Sequence, residues 1–158
     1  MKPSGILAVL PVAGMLAVGL HTAAASPTVL PTLLGDGPRG QLTWQVRPAS
    51  IVYTGDGSGV LGGFDGIEAR HVMHAGHLNW VTWTQERATG SGAVWIDDCT
   101  PDCARGTFTP HSVKLTAFRV VRGHFTRLTL RYSYGGKPYT DKRGIMRQAG
   151  FWDYYIVA

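Results

Sequence analysis

Three histidines at a spacing of three residues are the clearest candidates for chemistry in this sequence. His71, His74 and His77 stand in HVMHAGH, and imidazole nitrogens are common ligands of zinc and copper. On a strand His74 would point away from the other two, and on an α-helix the outer two lie about 120° apart. Only a backbone with three residues per turn aligns all three. We favour an exposed polar loop, with a metal site or a pH-responsive cluster as the alternatives.

The only two cysteines, Cys99 and Cys103, enclose Thr-Pro-Asp. A zinc site would need two further ligands from the histidines, and a redox pair prefers Cys-x-x-Cys at a helix N-terminus. In an oxidising compartment two cysteines normally pair, and Pro101 favours a turn that brings them together. We therefore predict a structural disulfide across one turn, which stabilises the fold by about 2 kcal/mol.

Two tryptophans suggest a surface for a ligand. Trp80 and Trp83 lie in a segment, HLNWVTWTQ, that is typical of a strand. On a regular strand they face opposite sides of the sheet, so that one ring is buried and the other exposed. An exposed indole ring is a platform for a sugar ring or for an apolar patch of a partner. The alternative is that both faces of the sheet are covered.

Paired catalytic groups are not evident in the sequence. Asp97 and Asp98 are adjacent, so on a strand they point to opposite faces, and one of them is expected to cap the stapled turn. Glu68 and Glu86 are the only glutamates, and no pattern pairs them as in a glycosidase. We predict no catalytic residue and no cofactor, and we expect a protein that is not an enzyme. The alternative is an extracellular hydrolase whose histidine and carboxylate side chains are assembled by the fold.

The N-terminal segment is typical of a secretory signal peptide over residues 1–25. A short basic start precedes an apolar run from Ile6 to Leu20, and Ala23 to Ala25 give a cleavage pattern. Removing Lys2 with this segment leaves 14 basic and 10 acidic side chains, a net charge of +4. We expect a secreted protein that has no membrane segment after cleavage. Its partner would be a cell-wall or extracellular polysaccharide or another polyanion, and its charge is too small to indicate nucleic acid.

The remaining sequence predicts an all-β domain. Residues 26–40 are rich in proline and glycine and form an extended lead-in, whereas residues 41–158 alternate short β-rich runs with turns. Two segments are exceptions: 67–78 could be helical, and 135–144 is interpreted as a loop. The expected architecture is an antiparallel sandwich or a small closed barrel of about eight strands.

The clearest hairpin combines 111–121 with 124–134. Leu128 and Leu130 alternate with Arg127 and Arg131, and Lys114 lies on the polar side of the partner strand. One face of the hairpin is therefore apolar and the other rich in threonine and cations. The polar face is interpreted as a solvated surface, with attraction of a polyanion as the alternative.

Four motifs occur in a fixed order: IVYTGDGSGVL, WVTW, ATGSG and CTPDCARGTF. Together they resemble a family of small exported actinobacterial β proteins of unknown function, over roughly residues 47 to 134. The resemblance implies an exported, mostly β domain and supplies no catalytic residues. The histidine-rich stretch 68–77 is longer than that pattern implies. The function we expect is a binding or structural role at or outside the cell surface, with the hydrolase and a metal-binding secreted protein as alternatives.

Overall fold

The computed structural model describes residues 29–38, 41–55, 57–69, 72–148 and 150–157. The predicted signal peptide, residues 1–25, and His71 lie outside these ranges. No helix among the described residues is long and apolar enough to cross a membrane. The strands in the described ranges are β1 (Leu33–Asp36), β2 (Leu42–Gln45), β3 (Ile51–Val52), β4 (Gly59–Gly62), β5 (Ile67–Ala69), β6 (Val72–His74), β7 (Asn79–Trp83), β8 (Arg87–Asp97), β9 (Phe108–Val121), β10 (His124–Tyr134), β11 (Lys137–Gln148) and β12 (Phe151–Ile156).

One antiparallel sheet of eight strands forms most of the molecule. Its order is β12-β11-β10-β9-β8-β4-β3, and β7 pairs with the first half of β8. The sheet is curled into a half-barrel, and β1-β2 and β5-β6 form two small antiparallel sheets beside it. The predicted all-β antiparallel fold is confirmed.

The apolar core lies on the inner, concave side of this sheet. Leu128 and Leu130 of β10 are fully buried, and Val113 and Leu115 of β9 are nearly so, as the alternation of the hairpin predicts. Gly123 joins the two strands with a φ of 79°, a conformation that glycine adopts without steric cost. We use "inner face" for this core side of the sheet and "outer face" for the opposite side.

Strand β1 packs into the open side of the half-barrel. Leu33 and Leu34 are fully buried. The hydroxyl of Tyr154 on β12 donates a hydrogen bond of 2.5 Å to the carbonyl oxygen of Leu34, and the Asp36 N–H donates to the Ser50 carbonyl at 3.0 Å. The described part of the predicted lead-in therefore contributes to the core.

Two local predictions are wrong. Residues 135–144, interpreted as a loop, contain the start of β11, because Gly135 and Gly136, with φ of 57° and 76°, form a tight turn that returns the chain onto β10. The strand was not recognised from the sequence because its first residues are mostly polar and show no apolar alternation. The segment 67–78 is not helical: its described residues form β5 and β6, which pair as a hairpin.

Candidate ligand-binding face of the large sheet

A row of hydroxyl side chains crosses the outer face. Because neighbouring strands are in register, residues directly opposite one another stand side by side on the same face of the sheet. The two hydroxyls at the β7 end of this row, those of Thr82 and Thr89, are 2.7 Å apart. The row, which we call the threonine row, runs from β7 to β10 through Thr82, Thr89, Thr116 and Thr129 and ends on β11 at Lys142.

Two parallel rows flank the threonine row, and they carry most of the positive charge of this part of the outer face. On one side the register places Ser91, Lys114, Arg131 and Thr140 next to one another, and on the other side Arg87, Phe118, Arg127 and Gly144. We call the surface formed by the three rows the basic face. Its cations are Arg87, Lys114, Arg127, Arg131 and Lys142.

The cations of the basic face have no carboxylate partner among the described residues. The three ion pairs of this part of the chain are His77–Asp65, Arg105–Asp102 and Arg143–Asp141. Arg127 is partly buried and donates to the Tyr155 hydroxyl at 3.1 Å, whereas the other four cations are exposed. Uncompensated positive charge on one surface attracts anions, and it does so most strongly at low salt.

Two adjoining hollows form a groove on the basic face. One, of about 580 Å³, is lined by Ser112, Lys114, Arg131, Ser133 and Thr140 among others. The second, of about 280 Å³, is lined by Phe64, Asp65, His77, Asn79 and Ser91 among others. Ser112 lines both hollows, so they adjoin at this residue. We call them together the outer groove.

The residues that flank the β5-β6 hairpin, 63–65 and His77, form one wall of the outer groove. Trp95, on the outer face of β8, is buried beneath this segment and donates from Nε1 to the Gly63 carbonyl at 3.2 Å. Glu68 accepts a hydrogen bond of 3.0 Å from the Phe108 N–H. One half of the outer face is thus covered by this segment, and the basic half is open.

Asp65 and His77, which lie before and after the β5-β6 hairpin, are hydrogen-bonded to each other. The Asp65 carboxylate accepts from the His77 N–H at 2.9 Å and lies 3.0 Å from its Nδ1. The hydrogen bond with the His77 side chain is the main reason why the pKa of Asp65 is lowered. Both side chains are exposed, and neither Ser91 nor Ser112 in the same hollow is hydrogen-bonded to His77. The pair therefore organises a loop, and the hydrolase alternative has a histidine–carboxylate pair but no bonded nucleophile in the described structure.

Two of the three predicted metal ligands lie in the part of the chain that the structure describes. His74 and His77 are both exposed, and His71 lies outside the described residues. In the described part of the chain, the one set of three potential ligands within 4.8 Å of one another is Asp97, Cys99 and Cys103. Its two sulfurs are joined to each other and are not free to bind a metal. The metal site of the three histidines stays a prediction.

Cys99 and Cys103 form the predicted disulfide. Both neighbouring carboxylates bind the turn: Asp97 accepts from the Cys99 N–H at 2.9 Å, and Asp98 accepts from the N–H groups of Thr100 and Thr107, each at 3.0 Å. These two hydrogen bonds lower the pKa of Asp98, and the bond from the Thr107 N–H has the larger effect. The aspartates thus have structural roles, and the sequence predicted only one of them as a cap.

The two tryptophans do not face opposite sides of the sheet as predicted, although one ring is buried and the other partly exposed as expected. Their role as a ligand platform stays a prediction. The register of β7 on β8 shifts between Trp80 and Thr82, and this bulge turns both rings to the same side. The rings of Trp80 and Trp83 meet edge to face with centroids 4.7 Å apart. Trp83 is buried and donates to the Pro31 carbonyl at 2.8 Å, and the partly buried Trp80 donates to that of Pro48 at 2.8 Å. Both tryptophans therefore belong to the core side.

Comparisons with known proteins provide no relative for this arrangement. No family model, no curated protein and no solved structure matches the chain. The resemblance to exported actinobacterial proteins therefore stays a prediction.

Proposed function

We propose that this protein is an exported binding protein whose outer groove holds an anionic polysaccharide outside the cell. The observation that carries the proposal is the set of five cations on one sheet face, none with a carboxylate partner in the described ranges. Placing like charges together without partners stores repulsion between them. A bound polyanion would relieve that repulsion.

The hydroxyl groups of the groove favour a sugar polymer over other polyanions. Ser91, Ser112, Ser133 and Thr140 line the groove beside its two cations, Lys114 and Arg131. Hydroxyl side chains donate and accept hydrogen bonds, as sugar hydroxyls also do. Single-stranded nucleic acids also stack successive bases on aromatic rings, and the groove carries Phe64 in its smaller hollow and Tyr132 and Tyr139 in its larger one, so single-stranded DNA is the competing ligand in the test below.

The size of the groove suits an extended chain. It crosses the sheet from β7 to β11, and neighbouring strands in a sheet lie about 4.8 Å apart. The five strands therefore span about 19 Å, enough for several sugar units lying across them. The disulfide is consistent with an oxidising, extracellular location for such a polymer.

Binding can be tested with the chain from Ser26 onward and a panel of polymers. The panel contains polygalacturonate, heparin, neutral dextran and single-stranded DNA, and affinity is measured by calorimetry at several salt concentrations. We expect polygalacturonate or heparin to bind, dextran not to bind, and affinity to fall as salt rises. Tighter binding of DNA than of both anionic polysaccharides, or no binding of either of them, would overturn the proposal.

The residues can be tested with the double variant Lys114→Ala/Arg131→Ala. We expect its affinity to fall about tenfold or more, because the two cations of the basic face that line the groove are lost. The control, Lys137→Ala/Arg147→Ala, removes the same charge from exposed positions outside the groove lining. Equal losses in the two double variants would mean that net charge, and not this groove, attracts the polymer.

A further inference from the structure

A second cleft lies between the β1-β2 hairpin and the two edge strands of the large sheet, β3 and β12. It has a volume of about 600 Å³, which is within the range of small-molecule sites. Its walls include Gln41, Gly55, Phe151, Trp152 and Asp153. We call it the seam cleft, and none of its described lining residues is shared with the outer groove.

Two aromatic rings give the seam cleft apolar walls. Phe151 is 77% exposed and Trp152 is 40% exposed, although both are large apolar side chains. Trp152 is held from behind by Trp44, whose ring meets it edge to face at 5.2 Å, and Trp44 in turn stacks on His124 at 4.1 Å. The Trp152 ring is therefore fixed in orientation while part of it remains open to a ligand.

One carboxylate supplies the polar wall. Asp153 accepts a hydrogen bond of 2.6 Å from the Tyr154 N–H through Oδ1, and Oδ2 has no partner among the described residues. Oδ2 lies 3.0 Å from the position that a Cβ atom would take on Gly55. The glycine thus leaves space above the free oxygen, and the exposed amide of Gln41 lines the same cleft.

The charge of the seam cleft is opposite to that of the basic face. Among the residues that the structure describes, Asp153 is the only charged one that lines the cleft, and no described lysine or arginine lines it. An anion would be repelled there, whereas hydroxyl groups can donate to the free carboxylate oxygen and bond to the amide. The apolar C–H face of a sugar ring matches an exposed indole or phenyl ring. Aromatic walls with a few convergent polar groups are the usual composition of a ligand pocket.

We propose that the seam cleft binds one neutral pyranose ring, with its C–H face against Trp152 or Phe151 and its hydroxyls on Asp153 and Gln41. This site is independent of the outer groove, because the two have separate residues and opposite charge. A chain carrying both sites would hold a neutral sugar unit at one place and an anionic polymer at the other.

The test is a titration of the chain from Ser26 onward with methyl glucoside, methyl mannoside and methyl galactoside. Binding is followed by nuclear magnetic resonance, in which the Trp152 indole N–H is a direct probe in the unchanged protein. We expect at least one glycoside to shift this resonance with a saturable dependence at millimolar concentration. We expect glucuronate to bind more weakly than the matching methyl glucoside, because Asp153 repels its carboxylate.

Two variants localise the site. Asp153→Asn keeps the size of the side chain and removes its charge, and we expect affinity to fall about tenfold because a charged acceptor is lost. Phe151→Ala removes an exposed ring, and we expect a loss of about fivefold. Phe64→Ala, which removes an exposed ring from the outer groove, is the control and should leave glycoside binding unchanged.

The outcomes separate this proposal from that of the outer groove. Lys114→Ala/Arg131→Ala should lose affinity for the polyanion and keep the glycoside response. The proposal is overturned if no glycoside shifts the Trp152 resonance, or if Asp153→Asn and Phe151→Ala bind as the unchanged protein does. It is also overturned if tetramethylammonium binds more tightly than every glycoside, since the cleft would then be a cation site.

Discussion

Lys142 and Arg143 are adjacent on β11 and yet meet opposite environments. Arg143 points to the inner face, opposite the buried Leu128, and bonds Asp141 through two contacts of 2.9 and 2.7 Å. The side chains of this pair are only 12% and 17% exposed, and the guanidinium lies 5.1 Å from the ring centre of Tyr53. Lys142 points to the outer face, where it is exposed and lacks a carboxylate partner in the described structure.

This difference shows that the role of a cation depends on the side of the sheet to which it points, and not on its charge alone. A charge removed from water needs a partner, because its desolvation is costly. A charge on the open face keeps its water and can exchange it for a ligand. Inner cations should therefore affect stability, and outer cations should affect binding.

The largest effect is expected from Arg143→Met. The substitution leaves the Asp141 carboxylate largely buried without its counter-ion, so we expect the free energy of unfolding to fall by about 3 kcal/mol. Urea denaturation followed by circular dichroism measures this change. The matched control is Lys142→Met, at the neighbouring position on the outer face, which should change stability by no more than about 0.5 kcal/mol.

The double variant Arg143→Met/Asp141→Leu sharpens the same contrast. Because it removes both charges, it should be more stable than Arg143→Met alone. If Arg143→Met and Lys142→Met destabilise the protein equally, the proposed division between inner and outer cations is wrong.

A smaller loss is expected when the disulfide is removed by Cys99→Ser/Cys103→Ser. The five-residue ring constrains few residues of the unfolded chain, so we expect a loss of about 2 kcal/mol in thermal or urea unfolding. Asp97 and Asp98 still bind the turn through backbone N–H groups, and the outer groove does not include the disulfide. Polyanion affinity should stay unchanged, and a loss of that affinity would mean that the turn takes part in binding.

Alkaline pH should lower the stability of the folded protein through its buried tyrosines. Burial is the main cause of the raised pKa of Tyr53, and burial also raises the pKa of Tyr154. Above about pH 10 these tyrosines ionise in the unfolded chain and stay neutral in the folded one. The unfolded state then binds fewer protons, so stability is fully present below pH 10 and falls as pH rises.

Each such tyrosine contributes a slope of about 1.4 kcal/mol per pH unit above its unfolded pKa. The variant Tyr53→Phe should flatten the pH dependence of unfolding by about that amount, measured between neutral pH and the alkaline limit of the native state. Tyr139→Phe, which changes an exposed tyrosine, is the control. Identical slopes in the unchanged protein and in Tyr53→Phe would contradict burial as the cause.

Local alternation allowed much of the fold to be predicted from the sequence. Leu128 and Leu130 follow a period of two, so β10 and its apolar face could be identified. Alternation of apolar residues failed to identify β11, which carries Lys137, Thr140 and Lys142. The position of this strand is set by the glycine turn before it and by its hydrogen bonds to β10. Strand β1 was missed because its apolar residues stand among prolines and glycines.

The candidate sites were less predictable because they depend on register between distant segments. The threonine row aligns residues from four strands, and its lysine comes from a fifth that had been interpreted as a loop. The bulge that turns Trp80 and Trp83 to the same side has no sequence marker such as glycine at Val81. The seam cleft joins residues about a hundred positions apart, and no local pattern brings them together.

The smallest effect is expected for the threonine pair of the outer face. Cross-strand hydroxyl pairs contribute roughly 0.2 to 1 kcal/mol, and Thr82 is exposed, so we expect Thr89→Val to change stability by about 0.5 kcal/mol or less. A double-mutant cycle with Thr82→Val measures the coupling between the two hydroxyls directly. A coupling above about 1.5 kcal/mol would mean that the outer face is held together by its own hydrogen bonds. A weak coupling means that these hydroxyls can exchange water for a sugar, because a strong hydrogen bond between them would compete with hydrogen bonds to a ligand.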